Sequence, residues 1–562
     1  MLFKTRLWRG LIVVFTFVLS IAIMAAIILE QFRTSIDNLT GSHSEVIETT
    51  DGDNLFKEFV PPAEVLNADG TGNSNKLIAE FIKFGRRLSQ EGSVLLKNEE
   101  VDGKPALPLS SGSKVTLLGL RSLVPIMGSA LGQPIEGPVI TLEDALGGTK
   151  TDFANPEKTT SGNASTINNY NFSDVGGEGA GFELNPDMLA TYRALKPDNI
   201  AYSGVTSRST FSSVNVKYDP QEPSLADIER QDPDYEESFA DYDDAAIVVV
   251  GRPSSENNDY LPGNVVEDTH MDEPLALSQN EVDIINKATE CFDNVIVIVN
   301  TTSPMELGDI ADNPDVSAVL WVGHFGNYGA LGIADILSGK VSPSGALADI
   351  YVDRNMSHPA LVNVGDYRFS NQAEDARSSK YVIEAEGMYV GYRYFETRYN
   401  DIVEGRGNAD SAVGAVASEG NWRYNEEVTW PFGYGLTYTQ FEQTFVGEPV
   451  VTKTEHEFTI EFKVDVANVG DVAAKSIVQI YGQAPYIDGG LEKSAVQLLA
   501  YDKTETLAPG EHEELTIKVD LQNIATWDSS HENADGTYGT YILDVGDYYF
   551  TLGNGSHEAM NN

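Results

Sequence analysis

The sequence predicts an α/β doubly wound sandwich domain followed by an all-β sandwich, both behind an apolar N-terminal helix. Three observations carry the prediction. Compact apolar runs end in glycine, a helix with a capping box separates two of them, and strict apolar/polar alternation sets in beyond residue 446. At 562 residues the chain is too long for one core, which agrees with two folded domains.

From Leu11 to Leu29 the chain carries no charge. As a helix this stretch spans about 28 Å, close to the hydrocarbon thickness of a bilayer. Lys4, Arg6 and Arg9 precede it, whereas Glu30, Asp37, Glu45 and Glu48 follow with only Arg33 nearby. The positive-inside rule then makes residues 1–10 a cytoplasmic basic tail, residues 11–29 a transmembrane anchor and the remainder extracellular. A basic start also suits a cleaved signal peptide, but the length and the missing A-x-A site before Glu30 favour a retained anchor. Residues 30–74, rich in Asp, Asn, Gly and Thr, read as an extracellular linker.

Residues 75–445 read as the α/β domain. Leu77, Ile78, Phe81, Ile82 and Leu88 recur with helical spacing before Gly92. Lys114 to Gly119, Ala245 to Gly251 and Val295 to Val299 are continuous apolar runs, the pattern of strands covered on both faces of a parallel sheet. Ser278-Gln279-Asn280-Glu281 opens a helix that carries Val282, Ile285 and Ala288 on one side. A further strand, Val316 to Val322, leads into a closing helix from Gly329 to Leu337. Such a sheet collects ligands at the C-terminal ends of its strands. Cys291, the single cysteine, is expected to be a buried small hydrophobe opening a strand; one cysteine excludes an intrachain disulfide and cysteine-ligated zinc.

Residues 446–556 read as the β domain. In Phe458 to Val466 every even position is apolar and every odd one polar, as in a half-buried strand. Asn468-Val469-Gly470-Asp471 supplies a turn, and Ile477 to Tyr481, Leu515 to Val519 and Tyr548 to Leu552 supply further strands.

Composition narrows the function. Lys and Arg total 37 against 85 Asp and Glu, a formal net charge of −48. That field repels nucleic acid and anionic polymers, while a neutral substrate such as a sugar meets no such barrier. There is no phosphate-binding glycine loop with its lysine, no H-E-x-x-H and no calcium-loop pattern, so no cofactor or metal is expected.

Several blocks, in order, carry a family resemblance. They are Gln90 to Glu99 with Leu107-Pro108-Leu109, Gly181 to Pro186, Ala330 to Gly339 with Ser342-Pro343-Ser344-Gly345, Glu386 to Phe395, and Trp430 to Phe441. Together they resemble the second, sandwich domain of family-three glycoside hydrolases of the β-glucosidase type. The strands beyond, with Leu507-Ala508-Pro509-Gly510-Glu511, resemble the fibronectin type III-like domain that follows it in many members.

The resemblance implies a retaining hydrolase, which needs two carboxyl groups about 5 Å apart, one as nucleophile and one as acid and then base. It implies that the acid/base is a glutamate on a sandwich-domain loop, and the matching segment is Gly251-Arg252-Pro253-Ser254-Ser255-Glu256-Asn257-Asn258-Asp259-Tyr260. Glu256 is therefore the expected general acid/base, although Ser255 and Asn257 replace the family's flanking glycines. Arg252 and Asp259 are the expected substrate-binding companions; Arg252 could also orient Glu256 or form an ion pair, and Asp259 could cap the loop. Gly177-Glu178-Gly179 matches the bare motif better but precedes the wrong strand. His324, which follows a strand, could touch substrate or hold a backbone partner.

The family's nucleophile sits in a Ser-Asp-Trp context, and the near match Ser173-Asp174-Val175 lies inside the sandwich domain. A nucleophile-bearing barrel takes about 250 residues, and no stretch here accommodates one. The expectation is a barrel partner in trans or from a longer chain, with residues 557–562 as a truncated junction. Two readings stay open: the proton-donating half of an extracellular β-glucosidase acting on carbohydrate, and a non-catalytic cell-surface module that binds glycans or holds partners.

Overall fold

The computed structural model describes residues 74–128, 140–147, 179–196, 222–253, 273–362, 367, 383–409, 417–418, 421–454 and 457–562, together with residues 8 and 14–19. Contacts divide the chain into residues 1–72 and residues 73–562. Of the first unit, residues 14–19 are helical and exposed. Among the described residues no helix is long and apolar enough to cross a membrane. The rest of the expected span 11–29 lies outside the described residues, as does the linker up to residue 73.

The second unit opens with α1 (Ser74–Gly92), which leads into β1 (Val94–Asn98). The remaining strands of its six-stranded sheet are β2 (Lys114–Leu118), β3 (Glu183–Leu184), β4 (Ala245–Val250), β5 (Val295–Val299) and β6 (Ala318–Trp321). Their spatial order is β1-β6-β5-β4-β2-β3, parallel throughout except for β1 at one edge. β4 and β5 are buried at every position, which is why both read as unbroken apolar runs rather than alternating ones. Helices α2 (Pro186–Leu195), α3 (Gln279–Cys291) and α4 (Ala330–Leu337) complete the layers. One face of the sheet packs with α1 and α4 through Leu117, Ile247, Ile296, Ile82 and Ile333; the other packs with α2 and α3 through Val248, Val297, Met188, Ile284 and Ala288.

From β2 the chain first goes outward to β3, then returns to the opposite side of β2 for β4. The strand order therefore reverses between β2 and β4, and their C-terminal ends flank a topological switch point.

Cys291 departs from expectation. It is the exposed last residue of α3, because the helix runs one step further and Phe292 takes the buried place where the chain turns toward β5. The helix turns Ile284, Ile285 and Ala288 inward, one residue off the expected stripe led by Val282.

The β domain begins earlier than residue 446. β7 (Phe441–Phe445) pairs with Val464 to Asn468, so its backbone belongs to the β-sheet. That sheet holds β7, β8 (Val450–Lys453), β9 (Phe458–Asn468) and β12 (His512–Asp520), and it faces one made of β10 (Ile477–Gln483), β11 (Gln497–Lys503) and β15 (Tyr549–Leu552). A ribbon of β13 (Thr526–Glu532) and β14 (Tyr538–Ile542) stands beside them. Ile460, Phe462, Val464 and Val466 fill the space between the sheets with Val478, Ile480, Ile517 and Val519, as the alternation predicts.

The two domains are pinned together. Lys475 and Lys503 both reach Glu91, at 2.8 and 3.0 Å. Gln479 donates to the Gly433 carbonyl at 2.8 Å, and a Cβ at Gly433 would fall 2.3 Å from the Gln479 side-chain oxygen. Its φ of +81° also favours glycine, so this part of the Trp430 to Phe441 block serves close domain contact. Residues 557–562, expected as a junction, mostly belong to helix α6 (Ser556–Asn561), which sits between α5 (Tyr392–Glu404) and the β domain. Ala559 there is fully buried against Tyr481 and Val496.

Candidate active site

At the switch point the chain leaves β4 through Gly251, Arg252 and Pro253. Gly251 is dictated by space, since a Cβ there would lie 2.2 Å from the Asn300 carbonyl oxygen. Glu256 and Asp259, the expected acid/base and its companion, lie outside the described residues, as does Glu178.

Arg252 is fully buried. Its Nε donates to the Pro274 carbonyl at 2.9 Å; Nη1 donates to the Gly251 carbonyl at 3.1 Å and to Glu281 Oε1 at 2.8 Å; Nη2 donates to Glu281 Oε2 at 2.8 Å and to the Ala276 carbonyl at 2.5 Å. A guanidinium has five N–H groups, and each one has an acceptor here. This corrects the expected substrate contact, because no donor remains to meet a sugar hydroxyl. The ion-pair alternative is the one the geometry gives.

Glu281 is as enclosed as its partner, at 2% exposure. Besides Arg252 it accepts from the Ser278 backbone N–H at 2.8 Å and from the Ser278 hydroxyl at 3.0 Å, while the Ser278 hydroxyl accepts from the Glu281 N–H at 3.3 Å. The capping box read from the sequence is thus present, and its carboxylate also neutralises the arginine at the strand end.

Two further groups organise the same end of the sheet. Asn300, the first residue past β5, accepts from the Ile126 N–H at 2.5 Å and donates to the carbonyls of Ile126 at 2.9 Å and Gly323 at 2.6 Å. One buried amide therefore ties together the chain after β2, β5 and β6. Glu222, also buried, accepts from the Leu120 N–H at 2.6 Å and pairs with the Tyr192 hydroxyl at 3.1 Å, which in turn accepts from the Gly119 N–H at 2.8 Å. Burial pushes the Glu222 carboxyl up to about 8, with the charge of Glu281 adding to the rise and the Leu120 N–H opposing it.

His324 lies just past β6. Burial holds its pKa below the ordinary histidine value; a hydrogen bond to the Arg252 carbonyl opposes that, and the nearby charge of Arg121 reinforces it. Its Nε2 is buried with no hydrogen-bond partner among the described residues. The expected backbone partner of this histidine is thus the residue that also holds Glu281.

Asn300 and Glu222 were not singled out from sequence. Asn300 carries a usable signal, a polar residue at the C-terminal end of a buried strand, whereas Glu222 sits in a stretch without periodicity. Among the described residues no group of three or more His, Cys, Asp or Glu could hold a metal ion. The arrangement provides a rigid polar platform of backbone carbonyls, one amide and paired charges, from which the segment after Pro253 departs.

Comparison with known proteins agrees with the geometry. Residues 93–438 match the glycosyl hydrolase family 3 C-terminal domain, and residues 476–556 match the fibronectin type III-like domain. A β-glucosidase of Ruminococcus albus is 31% identical over 321 residues, covering 57% of this chain and 28% of that protein. β-Glucosidase A of Butyrivibrio fibrisolvens is 30% identical over 341 residues, covering 56% of this chain and 36% of its own length. The solved β-glucosidase of Paenibacillus barengoltzii superposes with a TM-score of 0.61 at 25% identity, over 85% of this chain and 42% of that one. The chain thus spans about a third of the length of these two relatives. With the family profile covering more than half of its residues, the chain belongs to glycosyl hydrolase family 3.

Proposed function

We propose that this chain supplies the general acid/base of a retaining β-glucosidase, with Glu256 as the proton donor and the nucleophile carried by a barrel domain in a longer chain or in trans. The observation that supports it is positional: Glu256 lies three residues beyond Pro253, on the segment that leaves β4 at the switch point, where a doubly wound sheet presents its reactive groups.

In the first step the barrel's carboxylate attacks the anomeric carbon while Glu256 passes its proton to the departing glycosidic oxygen. A glycosyl-enzyme ester forms and the aglycone leaves as an alcohol. In the second step Glu256, now ionised, takes a proton from water as the water oxygen attacks the same carbon, which releases the sugar and restores the acid. No cofactor enters either step. Asp259, three residues further on, is the candidate for a hydroxyl contact from the same segment. The charge-free run 11–29 behind its basic flank supports tethering of both domains to the outer face of a membrane.

The test is a series of aryl β-glucosides of increasing leaving-group pKa, hydrolysed by the enzyme with its barrel present. Glu256→Ala should slow bond cleavage by about 100-fold or more for poor leaving groups and far less for a dinitrophenyl glucoside, which departs without protonation. Equal losses across the series contradict the assignment.

A further inference from the structure

We infer that the cavity between the C-terminal half of α5 and the β domain is a binding site for a neutral sugar unit. It measures about 350 Å³ and is lined by Asn400, Glu404 and Arg406 from the sandwich domain and by Gln483, Tyr486 and Tyr549 from the β domain. That volume falls within the range of small-molecule sites, roughly 300–1,000 Å³. None of these residues belongs to the switch point, so the site is separate from the one built around β4 and β5.

Both walls of the cavity are built by the fold itself. Asn400 and Glu404 are four positions apart on α5 and so share a face of that helix. The helix ends at Gly405, whose φ of +71° makes the left-handed cap, and the Arg406 N–H then donates to the Asp401 carbonyl at 2.7 Å. The buried Asp401 carboxylate accepts from the Asn408 amide at 2.9 Å and from the Ala409 N–H at 2.7 Å. The turn that carries Arg406 is therefore tied to the helix before and after it. Across the cavity the Ala495 N–H donates to the Thr397 hydroxyl at 2.9 Å, and Lys493 pairs with Asp544. These bonds hold the β-domain wall in place against α5.

The lining suits a hydroxyl-rich, uncharged ligand. Arg406 lies over the Tyr486 ring, 4.1 Å from its centroid. Its ion-pair partner Glu404 stands 3.7 Å away, beyond hydrogen-bond range, so its five N–H donors are not saturated as those of Arg252 are. The side-chain amides of Asn400 and Gln483 add donors and acceptors around the same space. Tyr549, 62% exposed, adds an uncovered aromatic ring. A pyranose matches such a set, because its C–H face packs on an aromatic ring and each hydroxyl on its rim both donates and accepts. An anion is disfavoured: Glu404 offsets Arg406, Lys493 is paired with Asp544, and the chain carries a net charge of −48.

The test titrates the 562-residue chain with thiocellobiose, two glucose units joined through sulfur and so resistant to hydrolysis, and follows the heat of binding and hydrogen exchange. Binding is expected with a Kd of about 0.1–10 mM. Arg406→Ala and Tyr549→Ala should each weaken it by about tenfold or more. The ligand should slow exchange in peptides covering 397–409 and 483–486 and leave the strand peptide 295–299 unchanged. Should Arg406→Ala fail to fold, Tyr549→Ala, altered at a largely exposed side chain, decides the matter alone. Glu256→Ala should bind as tightly as the parent. No binding at about 50 mM, equal affinity in both cavity variants, or binding of inorganic phosphate in place of the sugar overturns the site. Loss of binding in Glu256→Ala would locate the sugar at the switch point and overturn it as well. The leaving-group series with aryl glucosides is read separately, so the cavity site and the acid/base reading stand or fall independently.

Discussion

Glu222 shows how one enclosed carboxyl can give the fold a pH signature. Its pKa rises from the ordinary 4.5 to about 8, first because burial penalises the anion. In the unfolded chain the proton is lost near the ordinary value, while the folded protein keeps it until about pH 8. Between those limits the unfolded state binds fewer protons, so stability falls as pH rises, by roughly 1.4 kcal/mol for each unit that separates the pH from the unfolded pKa. Glu222→Gln preserves an acceptor for the Leu120 N–H and a partner for Tyr192 without an ionisable proton. Urea unfolding between pH 5 and 8 should therefore show a flatter profile for the variant, with its advantage over the parent growing toward pH 8. Parallel profiles would contradict the account.

Residues at this scale were unevenly legible. The capping pair Ser278 and Glu281 could be read because both partners are three positions apart on one helix start. The partner of Arg252 has no signature in the sequence, since Glu281 is 29 residues away and one of 85 acidic residues. Asn300 and Glu222 act across separations of 174 and 102 residues, which no local pattern records. Cys291 departs from the expected strand because a helix end and a strand start are both apolar, and the helix runs through Cys291.

At the scale of elements, periodicity did well wherever one face is buried. β4, β5 and β9 lie where their patterns put them, the first two enclosed on both faces and the third on one. β7 was harder, because Phe441–Phe445 is mostly exposed and pairs only along its edge with β9. α6 had no signal of its own, being a short polar helix whose anchors lie elsewhere in the chain. Those anchors give it a measurable role. Glu396, fully buried on α5, accepts from the Tyr424 hydroxyl at 2.6 Å and the Ser556 hydroxyl at 2.8 Å, and its other oxygen meets His557 Nδ1 at 3.0 Å. The His557 ring also stacks on Tyr424 at a centroid distance of 3.7 Å. Replacing Ser556 and His557 by alanine removes two of the three partners of a buried carboxylate, and should lower unfolding stability by about 2–4 kcal/mol in urea titrations. A loss within error of zero would show that α6 contributes nothing to the domain junction.

For the molecule as a whole, the sandwich domain and the β domain are bonded to each other through Glu91 and Gln479, and the net charge of −48 suits a neutral substrate. The fold class was legible because both domains are built from elements with distinct periods. The proposed role of Glu256 rests on the family's collinear blocks, since a lone carboxyl on a loop has no pattern of its own. The most direct test is the product formed when Glu256→Ala, with its barrel present, hydrolyses a dinitrophenyl β-glucoside in sodium azide. Without a carboxylate guarding that face, azide should intercept the glycosyl-enzyme, raising turnover and yielding the β-glucosyl azide with retained configuration. Glucose as the sole sugar product, at a rate indifferent to azide, would contradict the assignment of Glu256 as acid and base.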